Sequence, residues 1–394
     1  MRPVYWLGIF IPVAIGLELA HASAPIVFFA AAIGVIPTAA LMGEATEQLA
    51  ARSGPGIGGL LNVTFGNAPE LIIAFFALIE GLHEVVKASI VGSIIGNILL
   101  VLGAAMLVGG LGRERQVFSH TAANAQSAML LLALAALLLP AVFQLIHGGS
   151  LPAVGTTLFD AGPDKPDLED LSLGVAIVLM GSYVAGLFFS LKTHRAIFNP
   201  YGAERDGEEG RGSETAREDA ERRAQAQAHE EREAAEGHEG EPWSVKRAVA
   251  LLALAGLLVG AMSELLVGSI EEASHDIGLS QFFVGVFVVA IVGNAAEHWV
   301  AVLVARKNQM DLAVNISIGS SAQIALFVAP LLVLLSFVVG PQPMVLVFNG
   351  YELGAMLFAV LIANFITQEG ESNWFEGVQL LALYTVLGLV FYFA

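Results

Sequence analysis

The chain has 394 residues, 56% of them hydrophobic and only 14% charged, with a mean hydropathy of +0.72. Soluble domains carry roughly a quarter charged residues, so this composition excludes an ordinary soluble protein. The formal net charge of −18 argues against nucleic acid as a partner, and the absence of cysteine excludes both a disulfide framework and a thiolate metal site.

A membrane-spanning helix needs about 20 mostly apolar residues. Eleven stretches meet that length approximately, at 4–20, 25–43, 58–81, 85–109, 120–146, 171–191, 245–267, 280–305, 312–338, 344–366 and 374–393. The fold class is therefore an all-α polytopic membrane protein with about 11 transmembrane helices. The first stretch, with Arg2 before it and Ala22-Ser23-Ala24 after it, would also suit a cleaved leader. A retained extra helix over 1–24 is the expectation, because polytopic proteins seldom need a leader.

Between the sixth and seventh stretches, Glu204 to Glu241 holds 14 acidic and 6 basic residues and almost no large apolar side chain. A charge run of this kind reads as a soluble linker. Lys and Arg of short loops stay on the cytoplasmic side. Arg2, Arg52, Arg113, Arg115, Lys192, Arg195, Lys246, Arg247, Arg306 and Lys307 share one side, and Lys165 stands alone on the other. This places the N-terminus and the acidic loop in the cytoplasm. The wealth of Ala, Gly and Leu suggests a GC-rich bacterial genome, hence the inner (plasma) membrane.

Without the first helix, the linker leaves five helices on each side of it. Five is odd, so the second set enters the bilayer from the opposite face, the inverted-repeat plan of many secondary transporters. The expected division is 25–191 for the first repeat, 192–243 for the cytoplasmic acidic loop and 244–394 for the second repeat. The residues support it. Met42-Gly43-Glu44 pairs with Met262-Ser263-Glu264, Gly66-Asn67-Ala68-Pro69-Glu70 with Gly293-Asn294-Ala295-Ala296-Glu297, and Gly92-Ser93 with Gly319-Ser320. The spacing from glutamate to the later serine is 23 residues in both halves.

Carboxylates in the middle of apolar runs are expensive and usually functional. Pro69 lacks an N–H, so it should break the first motif and release the carbonyl of Phe65; Ala296 stands at its place in the second, whose break should be gentler and rest on Gly293. Gly66 and Gly293 allow close approach, Asn67 and Asn294 supply amide oxygens, and Ser93 and Ser320 can add hydroxyls or hold water. Together with Glu70 and Glu297, these groups meet the six to eight oxygens, about, of a hard cation such as Ca²⁺, whereas a monovalent cation would not need two carboxylates. Burial and mutual repulsion should leave a proton on at least one of the pair when the metal is gone. Metal and protons then compete for the same oxygens, which is the basis of antiport.

Glu44 and Glu264 lie near the ends of their helices, where a carboxylate can simply reach headgroups; their pairing across the repeat favours gates or proton relays. His298 either tunes the protonation of Glu297 or is an ordinary hydrogen-bonded histidine. Gln323, like Asn97, is a site-lining amide or a helix-to-helix contact.

With these motifs in hand, the chain resembles the calcium/proton exchangers of the cation/proton exchanger family, within the calcium/cation antiporter superfamily. The resemblance rests on Asn67-Ala68-Pro69-Glu70-Leu71-Ile72, on Val86-Lys87-Ala88-Ser89 leading to Gly92-Ser93-Ile94-Ile95-Gly96-Asn97, on Gly293-Asn294-Ala295-Ala296-Glu297-His298, and on Gly319-Ser320-Ser321-Ala322-Gln323. It implies that Glu70 and Glu297 bind Ca²⁺ and protons alternately, and that Asn67, Asn294, Ser93, Ser320 and Gln323 line the site. His298 after the second glutamate and Gln323 in the later helix look like proton-coupled members. The family often has Thr where Pro69 stands, so a hydroxyl ligand at that position is in doubt. It regards the extra N-terminal helix as regulatory.

The expected protein is a membrane antiporter, not an enzyme, whose substrates are Ca²⁺ and protons and which needs no cofactor. The alternatives are a Na⁺/Ca²⁺ or other divalent-cation exchanger and, less in keeping with inverted repeats, a cation channel. A homo-oligomer is left open by the sequence. The apolar runs contain no Ser-His, paired-Asp or His-rich motif of an intramembrane hydrolase.

Overall fold

The computed structural model describes residues 3–155, 165–193 and 243–394. The acidic loop expected at 192–243 therefore lies outside the described residues except at its two ends. The chain forms a bundle of helices: α1 (Val4–Leu19), α2 (Ala24–Arg52), α3 (Gly54–Gly66), α4 (Ala68–Ile79), α5 (His83–Gly110), α6 (His120–Ile146), α7 (Lys165–Thr193), α8 (Val245–Ile277), α9 (Gln281–Arg306), α10 (Met310–Ser336), α11 (Gly350–Glu369) and α12 (Trp374–Tyr392). Among the described residues nine of them are long and apolar enough to cross a membrane, or up to ten if α3 and α4, bent by 43° at their break, are one span. The helix expected over 4–20 is apolar but shorter than a span, so the count of eleven full-length helices is not reached among these residues.

The order of the helices repeats. α5 and α10 are the innermost, and each takes a late helix of the other half against its flank, α12 on α5 and α7 on α10. α6 pairs with α11, and the long α2 pairs with the long α8. α2 and α8 run well past the expected 25–43 and 245–267, as their polar last turns continue the helix. The two repeats interlock where α5 crosses the start of α9. A Cβ on Gly92 would collide with the carbonyl of Val286, and one on Gly285 would lie 2.8 Å from the Ala88 Cβ. Only glycine allows helix backbones this close, and the crossing sets Ser93 beside Asn294.

Proline and π-helical turns interrupt the helices near mid-depth. Asn67 (φ −96, ψ 19) ends α3 and starts α4, and Pro69 just beyond cannot donate into the ladder. α5 carries a π-helical turn at Gly96–Val101, and α10 carries one at Ile324–Val328 at the matching place, with a second at Asn315–Gly319. Such turns occur frequently at functional sites because they re-aim side chains and free a carbonyl. The gentle break expected at Gly293 is absent: Ala290–Arg306 is continuous α-helix. One glycine costs a helix only about 1 kcal/mol, and with Ala296 in place of proline the ladder stays whole.

One end of the bundle gathers Arg52, Arg113, Arg115, Arg306 and Lys307; it is called the basic end below. There Gln116–Val117 pairs antiparallel with Glu371–Ser372, and Arg115 bridges Glu371 at 2.9 Å. The far end is closed by the extended segment 337–349, which buries Met344, Leu346, Val347 and Phe348. Gly340 (φ +86) lets it pass within 2.7 Å, at its would-be Cβ, of the Leu78 carbonyl, and buried Lys87 donates to the Val347 carbonyl at 2.8 Å. The helix expected from 344 starts instead at Gly350, because Asn349 and Glu352 form a reciprocal capping box.

Candidate functional site

The two glutamate motifs meet at the middle of the bundle in a reciprocal way. A Cβ on Gly293 would lie 3.3 Å from Glu70 Cγ, and a Cβ on Gly66 would lie 3.5 Å from Glu297 Oε1. Each glycine of a motif therefore makes room for the glutamate of the other. This is a different role from the close backbone approach expected of them, and a hydrogen side chain serves both.

The amides are held by their own NH₂ groups. Asn67 Nδ2 donates to Gln323 Oε1 at 2.6 Å. Asn294 Nδ2 donates to Ser93 Oγ at 3.0 Å and to the Ala290 carbonyl at 2.9 Å. With the amides oriented this way, Asn67 Oδ1 and Asn294 Oδ1 are buried with no hydrogen-bond partner, and so is Glu70 Oε2. Buried polar atoms are nearly always partnered; of the thirteen buried side-chain atoms without a partner among the described residues, these three oxygens fall within the two glutamate motifs, where acceptors without donors suit a ligand that accepts lone pairs.

Ser320 Oγ donates to Glu297 Oε2 at 2.9 Å in the second repeat. In the first repeat, Ser93 instead takes the amide of Asn294 from the other motif. Of the eight residues expected around the cation, Glu70 meets Gly293, Asn294 meets Ser93, and Glu297 meets Gly66 and Ser320, while Asn67 bonds Gln323. His298 does not touch a glutamate in this network; its Nε2 lies 3.2 Å from Asn97 Oδ1, which leaves Asn97 Nδ2 buried and unpartnered.

Glu44 and Glu264 stand apart from this network. Glu44 accepts a hydrogen bond from the Tyr5 hydroxyl of α1, while Glu264 is exposed on α8. α1 precedes only the first repeat, which accounts for the difference. The sequence reading passed over Glu47, one turn beyond Glu44 and within electrostatic reach of Glu297; its place in the same helix as Glu44 was the available signal. It also passed over Ser89, which lines a narrow cavity with Glu70 and Ser93. Among the described residues no group of three or more His, Cys, Asp or Glu side chains could hold a metal. A cation here would meet two carboxylates with amide and hydroxyl oxygens, a set suited to a ligand that must also leave.

A family model described as sodium/calcium exchanger protein matches residues 23–192 and 247–393. The chain is 42% identical over 389 residues to a Ca(2+)/H(+) antiporter of Aphanothece halophytica, covering 99% of this chain and 96% of that protein. It is 40% identical over 382 residues to the Ca(2+)/H(+) antiporter ChaA of Bacillus subtilis, covering 97% and 96%. Among solved structures it is similar to native YfkE, with a TM-score of 0.76 and 36% identity over 99% of this chain and all of that one.

Proposed function

The chain belongs to the sodium/calcium exchanger protein family, and from that premise we propose that it is a secondary antiporter exchanging cytoplasmic Ca²⁺ for protons, not an enzyme. The observation that carries the reading is the trio of buried, donor-free oxygens, Asn67 Oδ1, Glu70 Oε2 and Asn294 Oδ1. Acceptors without donors suit a hard cation, which takes carboxylate, carbonyl and water oxygens. Glu70 and Glu297 supply the charge that Ca²⁺ needs, Ser93 and Ser320 hold their partners in place, and Gln323 fixes the Asn67 amide.

With the cation gone, the same two carboxylates take up protons. A bare pair of charges is costly to carry through an apolar barrier, so the site reorients with Ca²⁺ or with protons and not empty. That constraint is the coupling. His298, fixed against Asn97, and Glu47, within electrostatic reach of Glu297, shape the field in which the protons exchange.

The moving parts are α2 and α8, the long pair that crosses at Gly34 and Met262, against a core of the remaining helices. Glu44 and Glu264, one on each of these helices, are the gate or relay positions. The domain division follows: 1–24 as the extra helix, 25–191 and 244–394 as inverted repeats, and 192–243 as the acidic loop. The basic end faces the cytoplasm, in the plasma membrane of a bacterium.

Adding Ca²⁺ to the purified protein in weak buffer tests this reading without any flux. The expected result is release of protons into the medium, absent in Glu70→Gln with Glu297→Gln. Calcium binding without proton release would contradict shared occupancy.

A further inference from the structure

A narrow cavity touches Glu70 on the side toward the far end. It measures about 10 Å³, taken as the space it leaves for the centre of a water molecule, which is about enough for one water. A hydrated cation does not fit; a cation stripped of most of its water does. Three of the ten lining residues are polar, Glu70, Ser89 and Ser93, and the rest, including Ile73, Ile324 and Val328, cannot replace lost water. Ser89 lies one turn of α5 beyond Ser93, about 6 Å nearer the far end.

We propose that Ser89 is a further cation-coordinating residue, the first oxygen that the cation meets when it leaves Glu70 toward the far end. The Ser89 hydroxyl proton is committed to the Val86 carbonyl at 2.9 Å, so what it presents to the cavity is oxygen lone pairs. Glu70 borders the same cavity, and its enclosed Oε2 has no hydrogen-bond partner. The 227-residue offset that relates Glu70 to Glu297 and Ser93 to Ser320 puts Ile316 at the place of Ser89 in the second repeat. The hydroxyl at this offset is therefore particular to the first repeat, on the far-end side of the site. A single hydroxyl keeps the step weak, so the cation is partly solvated as it moves without being trapped.

This inference rests on the transport reading, and the experiment separates the two. The full chain in proteoliposomes is compared as wild type, Ser89→Ala and Ser89→Thr, with equilibrium Ca²⁺ binding measured on the same preparations. The expected result is a turnover about fivefold lower in Ser89→Ala, the size of one neutral polar contact, with unchanged Ca²⁺ affinity and with turnover restored in Ser89→Thr. Because the chain has no cysteine, Ser89→Cys adds a second arm. In the state of the cycle that opens to the far side, a membrane-impermeant cationic thiol reagent should modify it from that side only, and Ca²⁺ should slow the modification. Wild-type turnover in Ser89→Ala, or modification of the cysteine from the basic side, would overturn the role of Ser89 while leaving exchange itself intact. Absence of pH-driven Ca²⁺ uptake in the wild type would instead overturn the transport reading.

Discussion

Gly293 faces Glu70 so closely that a methyl group on it would sit 3.3 Å from the glutamate Cγ. That contact is tighter than most, and the neighbour that must give way is a site carboxylate. Gly293→Ala should displace Glu70 by a few tenths of an ångström and raise the Ca²⁺ concentration for half-maximal uptake by about tenfold, a loss of about 1.4 kcal/mol. Gly66→Ala meets Glu297 at an ordinary 3.5 Å and should have the milder effect. Calorimetric Ca²⁺ titration of the two variants gives the order, and equal effects would mean that the glycines serve only backbone packing.

Ser320 donates to Glu297 Oε2 at 2.9 Å. Hydrogen bonds to charged groups contribute about 1.5–3 kcal/mol, and this one favours the ionised, cation-binding form. Ser320→Ala should weaken Ca²⁺ binding by at least tenfold, or about 1.4 kcal/mol. As pH falls at fixed Ca²⁺, protons should displace the cation at a higher pH than in wild type. Ca²⁺ uptake measured across pH reads both effects; a curve that keeps its midpoint would place the serine outside the proton competition.

Asn67 is oriented by the 2.6 Å bond from its amide to Gln323. Gln323→Leu keeps the size of the side chain and removes the acceptor, so the Asn67 amide is free to turn its oxygen away from the site. An affinity loss of about fivefold, the scale of one neutral hydrogen bond, is expected in Ca²⁺ titrations. Gln323→Glu retains an acceptor and should bind Ca²⁺ at least as well as wild type at neutral pH.

Lys87 is buried with Glu84 and Glu352 and donates to the Val347 carbonyl of the far-end segment. Removing the ammonium takes the donor from the Val347 carbonyl and the nearby positive charge from the two carboxylates, and a hydrogen bond from a charged donor is worth about 1.5–3 kcal/mol. Lys87→Met should lower the unfolding temperature in detergent sharply. The double variant with Glu352→Gln should recover part of the loss, and a single variant as stable as wild type would show that these charges are already solvated.

Much of the core was legible because the chain states it twice. Gly-Asn-x-x-Glu recurs with the same 23-residue spacing to a later serine, and intramembrane carboxylates stand out in apolar runs. What stayed hidden depends on neighbours distant in sequence. Gly66 serves Glu297 and Gly293 serves Glu70 through contacts across 231 and 223 residues, which leave no local pattern. The pairing of Asn67 with Gln323, in place of a symmetric bond to Ser320, is likewise a choice made by packing. Local rules failed where two signals competed. Gly293 alone does not break a helix, while Asn349 with Glu352 starts one six residues later than hydropathy suggests. Glu44 and Glu264 look equivalent in sequence, yet α1 covers only the first.

The most direct measurement of the central claim is Ca²⁺ uptake into proteoliposomes under an imposed pH gradient, with wild type, Glu70→Gln and Glu297→Gln side by side, repeated with a Na⁺ gradient. The account predicts uptake that follows the pH gradient, ignores Na⁺ and is lost in both variants. Uptake that follows Na⁺, or that persists when either glutamate is neutralised, would contradict it.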